Sequence, residues 1–224
     1  MRETYEHIAR EPHGEFHFHR GLNYAVDFLG YDRGELTGLP ERATARFAGV
    51  GNPLRVGPVR PGETVLDHAC GAGMDLLLAA RRVGPGGRAI GVEITTGMRA
   101  SARQSADAVG LGDIVDIREG YPEALPVDDE SVDVVISNGA VNQSLEKARV
   151  FEEIYRVLKQ GGRLYLADVV VQRELRLQAR ASPELWGAYI GGALAQTELA
   201  ELAAGAGLKA ARAVESFDCF RGTS

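Results

Sequence analysis

The chain is expected to fold as an α/β domain, a Rossmann-like, doubly wound, mostly parallel sheet with helices on both faces. Three observations predict it. Short apolar strand patterns alternate with helical patterns from residue 63 onward. The run ETVLDHACGAGMD, residues 63–75, reads as a buried strand, an acidic end residue, a glycine turn and a helix start. The next strand pattern, RAIGVEI, places Glu93 roughly twenty positions after that turn, the spacing at which an acid meets the ribose of an adenosine.

The elements follow in order. Val65 and Leu66 give the first strand its apolar pair, and Gly71 and Gly73 let the backbone turn tightly under a ligand. MDLLLAARRVG continues at helical spacing through Leu76, Leu77, Ala80 and Val83. After RAIGVEI the pattern predicts a helix over 96–109, a third strand at IVDIREG, a loop YPEALPVDDES and a fourth strand at VDVVISN. A helix over 146–158 puts Phe151, Ile154, Val157 and Leu158 on its buried stripe, with Gly161-Gly162 as its C-cap. RLYLADVVV makes the fifth strand. Such sheets normally end with a reversed sixth and seventh strand, but after AARAVESFDCF only RGTS remains, so the final strand is expected to be missing. Either the chain is truncated or a second copy covers the edge in a homodimer.

Composition sets the outer bounds. With 224 residues, 45% of them hydrophobic, the chain can bury the core of one domain, expected over 47–224 and preceded by an arm or lid over 1–46. A net charge of −6 without a basic cluster disfavours nucleic acid and membrane surfaces as partners. The start, MRETYEHIAREPHGEF, is charged where a signal peptide would be apolar, and no apolar run reaches membrane-spanning length. A cytoplasmic enzyme with a small-molecule substrate is the expectation. Cys70 and Cys219 are too few for a disulfide framework.

The turn also selects its ligand. Leu76 stands where a dinucleotide fingerprint would carry its third glycine. Asp67, beside the loop, would repel a pyrophosphate but suits a sulfonium and an α-ammonium group. S-adenosylmethionine carries both and is the expected cofactor.

VLDHACGAG, AIGVEI, EALPVDDESVDVVISN and FEEIYRVLKQGGRLYLAD together resemble the class I S-adenosylmethionine-dependent methyltransferases. GVGNP, VVISNGAVNQS and LWGAYIGGAL narrow the resemblance to the arsenite methyltransferase branch, over 47–208. The resemblance implies that Asp67, Gly71 and Gly73 hold the methionine part, Glu93 the ribose, Ile94 and Met98 the adenine face, and Asn138 the floor beneath the sulfonium. Members of that branch bind trivalent arsenic through cysteine thiolates, and the corresponding places here hold Val50, Gly139 and Tyr189. A soft metalloid needs soft ligands, so arsenite is disfavoured as the acceptor.

The remaining candidates concern the adenine and the acceptor. Pro122 has no N–H for the purine, whereas Tyr121 could stack on it and Glu123 accept from its amino group, unless both simply order a turn. His7, His13, His17 and His19 crowd the amino-terminal arm, without the ligand set of a metal site. As a lid, the arm would bring Tyr5, His17, His19 and Arg20 to the acceptor, with histidine available as a general base; the plain alternative is a solvated surface arm. Trp186 and Tyr189 are one helical turn apart and would share a face toward the acceptor, with core packing as the plain alternative. Asn142 either faces the acceptor or caps a helix, as Ser144 could. The leading expectation is a methyltransferase for a small-molecule acceptor, with Asn138, Tyr189, His17, His19 and Tyr5 at the reaction. One alternative is a cyclase that turns the amino-acid part of the same cofactor into a four-membered ring, azetidine-2-carboxylate, with release of methylthioadenosine. The other is a protein that binds the cofactor without turnover.

Overall fold

The structure, a computed structural model, describes residues 6–7, 10, 19–173, 175–180, 182, 185–186 and 189–218. From Gly21 onward come three short helices, α1 (Gly21–Asp27), α2 (Arg33–Thr37) and α3 (Glu41–Thr44), followed by a 3-10 turn at Pro53–Arg55. The alternating region comprises β1 (Thr64–Asp67), α4 (Met74–Val83), β2 (Arg88–Glu93), α5 (Thr96–Ala108), β3 (Val115–Glu119), β4 (Val132–Asn138), α6 (Lys147–Val157) and β5 (Leu158–Ala167). The five strands form one parallel sheet in the order β3-β2-β1-β4-β5. Chain order reverses direction beside β1, between β1 and β4, and such a switch point opens a crevice at the strands' carboxyl ends.

Apolar side chains alternate between the faces of β1 and β4 and build two cores. Val65, Val134 and Ile136 face Met74, Leu77 and Leu78 of α4. Leu66 and Val135 face Val150, Phe151, Ile154 and Val157 of α6. The first core also takes Tyr24, Ala25, Leu29, Leu36, Leu39, Ala43 and Phe47. The segment expected to be an arm is therefore built into the domain from Tyr24 onward, because its apolar side chains close one face of the sheet.

Gly73 sits at φ 92, and a Cβ there would lie 3.2 Å from that of Ala102 on α5. Left-handed backbone and close packing both demand glycine at this N-cap. Gly161-Gly162, by contrast, is not the C-cap of α6. Leu158 is already extended at φ −71 and ψ 131 and pairs with Val132, so the helix stops at Val157 and the glycines fall inside β5. There they form an irregularity, since pairing jumps from Val132↔Leu158 to Val134↔Arg163. Gly161 has φ 78 and open space around its Cβ position, which isolates the backbone contribution. Gly161→Ala is expected to cost about 1 kcal/mol and lower the melting temperature by about 2–4 °C in a scanning experiment.

Beyond β5 come β6 (Val170–Val171), α7 (Leu177–Arg180), β7 (Leu194–Ala195) and α8 (Gln196–Gly205). β6 and β7 pair with each other, apart from the main sheet. Residues 209–218 carry no strand, so among the described residues β5 is one edge of the sheet, opposite β3, and neither strand of the expected reversed pair is formed. No helix of the described residues is long and apolar enough to cross a membrane.

Candidate functional site

The carboxyl ends of β1, β2 and β4 open into a cleft enclosing about 230 Å³ of solvent-accessible space. Its floor is the turn 67–75. Gly71 sits at φ 52 with nothing within 4 Å of its Cβ position, so the backbone faces open space where a ligand can approach. Asp67, Asp75 and Glu93 are all buried and all line this cleft.

Glu93, at the end of β2, holds the turn in place. Its Oε2 accepts from the Gly71 N–H at 3.1 Å and its Oε1 from the Thr95 N–H at 2.7 Å and the Thr95 hydroxyl. Burial raises its pKa against these hydrogen bonds, which lower it. Asp67 is pushed well up by burial and then by the charge of Asp75, and Asp75 is pushed up to about 6 by burial. Three carboxylates resisting ionisation together favour a cation among them. Ile94, Met98, Tyr121 and Val92 supply an apolar wall beside Glu93.

Asn138 lies at the end of β4, but its amide is occupied inside the protein. Its Oδ1 accepts from the N–H groups of Val50 (2.8 Å) and Gly51 (3.1 Å). Its Nδ2 donates to Asp75 Oδ2 (2.9 Å) and Gly51 O (2.9 Å), with the Tyr31 hydroxyl at 3.2 Å. Tyr31 in turn donates to Asp75 Oδ1 at 2.6 Å. Asn138 thus clamps residues 50–51 and Asp75 against the cleft, whereas the resemblance implies an amide free as a floor beneath the sulfonium.

The opposite wall comes largely from residues ahead of the sheet. Ala43, Arg46, Phe47 and Ala48 line it from the opening segment before the quoted motifs, and Gly49 from the start of GVGNP. Tyr189 lines it too, and its hydroxyl donates to Ala48 O at 2.8 Å. Contrary to the shared helix face expected for it and Trp186, Tyr189 has φ 64 and ends a turn on the Trp186 carbonyl. That left-handed residue turns the two rings apart, and Trp186 packs instead under Gly191 and Gly192, with the Lys147 ammonium 5.3 Å from its ring centroid. A Cβ on Gly139 would lie 2.9 Å from Tyr189 Cε1 and 3.5 Å from Val50 Cγ1. Val50, Gly139 and Tyr189 therefore converge on one spot.

Other expectations are redirected. Asn142 does not line the cleft and is not a helix N-cap. It donates to Val169 O at 2.7 Å and Tyr189 O at 3.3 Å, tying the loop after β4 to the segment carrying Tyr189. Glu123 lines the cleft, and its carboxylate accepts from the Ser144 hydroxyl. Tyr121 lines the cleft and also closes a turn with Ala124. His19 does not reach the cleft, because it stacks on Tyr24 (5.2 Å) and Phe28 (5.6 Å). Tyr5, His13 and His17 lie outside the described residues. Glu6 accepts from the Thr96 N–H at 3.1 Å, which brings the start of the chain to α5, next to Glu93 and Thr95.

Comparison with known proteins agrees with this geometry. The family model for the methyltransferase domain matches residues 60–207. An arsenite methyltransferase of Halobacterium salinarum is 41% identical over 182 residues, 81% of this chain and 46% of that protein. The human arsenite methyltransferase is 37% identical over 147 residues, 62% of this chain and 39% of that protein. The chain thus spans about half the length, or less, of these curated relatives. Among solved structures, an arsenic(III) S-adenosylmethionine methyltransferase from Chlamydomonas reinhardtii superposes with a TM-score of 0.72 at 36% identity, covering 78% of this chain and 60% of that one. A glycine turn beneath open space, an acid at the end of β2, and a family match across the whole alternating sheet lead to one statement: the chain belongs to the methyltransferase domain family.

Proposed function

We propose that this protein is an S-adenosylmethionine-dependent methyltransferase for a small-molecule acceptor other than arsenite. The observation that carries it is the trio of buried carboxylates around a glycine turn that faces open space, which fits a ligand bearing a sulfonium and an ammonium group. When bound, S-adenosylmethionine supplies a methyl group already activated by the positive sulfur. Asp67, Gly71 and Gly73 hold its methionine part, Glu93 its ribose, and Ile94, Met98 and Tyr121 its adenine. Asn138 acts as a positioning residue through Asp75 and the backbone of 50–51. Tyr189 and Phe47 wall the acceptor side and exclude water. Glu6, at the start of α5, supports a lid role for the arm.

The acceptor part of the proposal rests on what stands where thiolates would. Val50, Gly139 and Tyr189 meet at one place, so an aromatic ring and an isopropyl group occupy the position a metalloid would need, with no soft donor among them. Purified protein incubated with S-adenosylmethionine and small-molecule acceptors is expected to release S-adenosylhomocysteine, identified by mass spectrometry. Methylthioadenosine appearing without any acceptor would instead establish the cyclase, and rapid methylation of arsenite would overturn the acceptor claim.

The pH dependence of ligand stabilisation follows from the carboxylates. Asp75, pushed up to about 6, adds stability that is full below about pH 4 and lost as pH rises through 6. A cation beside Asp67 and Asp75 favours their charged forms and reverses that loss. The rise in melting temperature caused by S-adenosylmethionine should therefore be larger at pH 7.5 than at pH 5, and Asp75→Asn should flatten the difference. An equal thermal shift at both pH values would refute the assignment.

A further inference from the structure

One feature of the cleft lies outside the cofactor-binding set. His68 follows Asp67 at the end of β1, is fully buried, and lines the cleft. Its Nε2 lies 2.7 Å from the Ser137 hydroxyl on β4. Its Nδ1 is buried and has no partner among the described residues. Gln143, in the loop after β4, lines the same cleft. Its Nε2 donates to Trp186 O at 3.3 Å, while its Oε1 is buried and likewise without a partner among the described residues. Two orphaned polar atoms on one cleft are unusual, because a buried polar group left unpaired destabilises the fold by about 1–3 kcal/mol.

The chemistry of the two atoms narrows what completes them. With its amide nitrogen committed to Trp186, Gln143 offers only an acceptor oxygen to the cleft. The Ser137 hydroxyl fits either tautomer; in the one protonated at Nε2 it accepts from that nitrogen and Nδ1 keeps a lone pair. Burial holds the imidazole neutral, its pKa lowered to about 4, so that lone pair persists across the neutral range. Both atoms then call for a ligand that donates.

Resting on the methyltransferase reading, we propose that the acceptor is a small molecule with a hydroxyl or amino group, which donates to Gln143 Oε1 or His68 Nδ1, and that His68 takes its proton during transfer. The acceptor oxygen or nitrogen uses its lone pair to form the bond to the methyl carbon as the carbon–sulfur bond breaks. That bonding pair stays on sulfur, leaving the neutral thioether, and the proton of the acceptor passes to His68 Nδ1 and from there to solvent. A metalloid thiolate has no such proton, so this arrangement suits an acceptor class different from that of the curated relatives.

Phenol and thiophenol separate proton removal from mere positioning, because thiophenol is largely ionised at neutral pH and needs no base. His68→Asn is expected to slow methyl transfer to phenol about 100-fold and to thiophenol less than about 10-fold, with S-adenosylhomocysteine affinity by calorimetry within about threefold of wild type. Gln143→Leu is expected to raise the phenol KM with little change in kcat. A readout independent of turnover is the imidazole nitrogen NMR spectrum, in which the resonance lost in His68→Asn should show protonated Nε2 and bare Nδ1. Protonated Nδ1, equal slowing of the two acceptors, or a crystal structure in which only a water bridges His68 and Gln143 would each overturn the proposal. Wild-type protein that binds S-adenosylhomocysteine but methylates only thiols or arsenite would also overturn it while leaving the cofactor reading standing. Failure to bind S-adenosylhomocysteine at all would bring down that reading first.

Discussion

Glu93→Gln is expected to weaken S-adenosylmethionine binding by about 100-fold, equivalent to about 2.7 kcal/mol, as measured by calorimetry. The carboxylate does two jobs at once. It faces the cleft, and it accepts from the N–H of Gly71 and from both the N–H and hydroxyl of Thr95. All of these partners are donors, so an amide must turn its NH₂ toward one of them or leave one unpaired. Hydrogen bonds to a charged group contribute roughly 1.5–3 kcal/mol each, and one such loss plus a displaced Gly71 accounts for the predicted figure. The variant should remain folded, with an unchanged circular dichroism spectrum. A Kd within threefold of wild type in that folded variant would remove Glu93 from the binding site.

Asn138→Asp is expected to lower the unfolding free energy by about 3–4 kcal/mol at pH 7.5. The Asn138 amide bridges acceptors on one side and donors on the other. A carboxylate keeps the bonds from Val50 and Gly51 but turns an oxygen toward Asp75 Oδ2 and Gly51 O, each 2.9 Å from the present Nδ2. Two buried carboxylates in contact cannot both ionise without large destabilisation, so the pair holds a proton and its apparent pKa rises above the value near 6 of Asp75 alone. The sign follows directly: raised carboxyl pKa values mean stability retained at low pH and lost as pH rises. Denaturant titrations should therefore show Asn138→Asp closer to wild type at pH 5 than at pH 7.5. A pH-independent difference would mean that Asn138 and Asp75 do not share this network.

The alternating sheet was legible because it is written locally. Gly71 and Gly73 are needed where φ is positive, and an acid at the end of β2 follows from its distance along the chain. The register of β1 against β2 and β4 then brings Asp67, Glu93 and Asn138 to one edge without further information. The end of α6 was misread because glycine pairs serve helix caps and strand irregularities alike. Only the pairing of Leu158 with Val132 distinguishes them.

The rest of the cleft was much less legible. Asp75 stands in the first turn of α4, directly after the glycine turn, yet its importance depends on Tyr31 and Asn138, which are 44 and 63 residues away. Arg46 and Phe47 reach the cleft from either side of the expected arm–domain boundary, where the apolar pattern is too short to mark an element. His19 looked available as part of a histidine cluster but stacks on Tyr24 and Phe28, since a ring beside two aromatic neighbours gains more from contact than from solvent. His68, inside the quoted motif, carried no signal in its spacing. It became a candidate only when the fold left one of its nitrogens buried and unpaired.

By itself the sequence determined the methyltransferase sheet, its glycine turn and the acids aligned with it, because strand periodicity and backbone dihedral demands act between near neighbours. Only the tertiary structure decided which side chains meet at the cleft. It brought Val50, Gly139 and Tyr189 to one point, bound the Asn138 amide within the protein, and set His68 and Gln143 on the same cleft. Contacts of that kind join residues far apart in the chain through packing in three dimensions, and spacing along the sequence does not encode them.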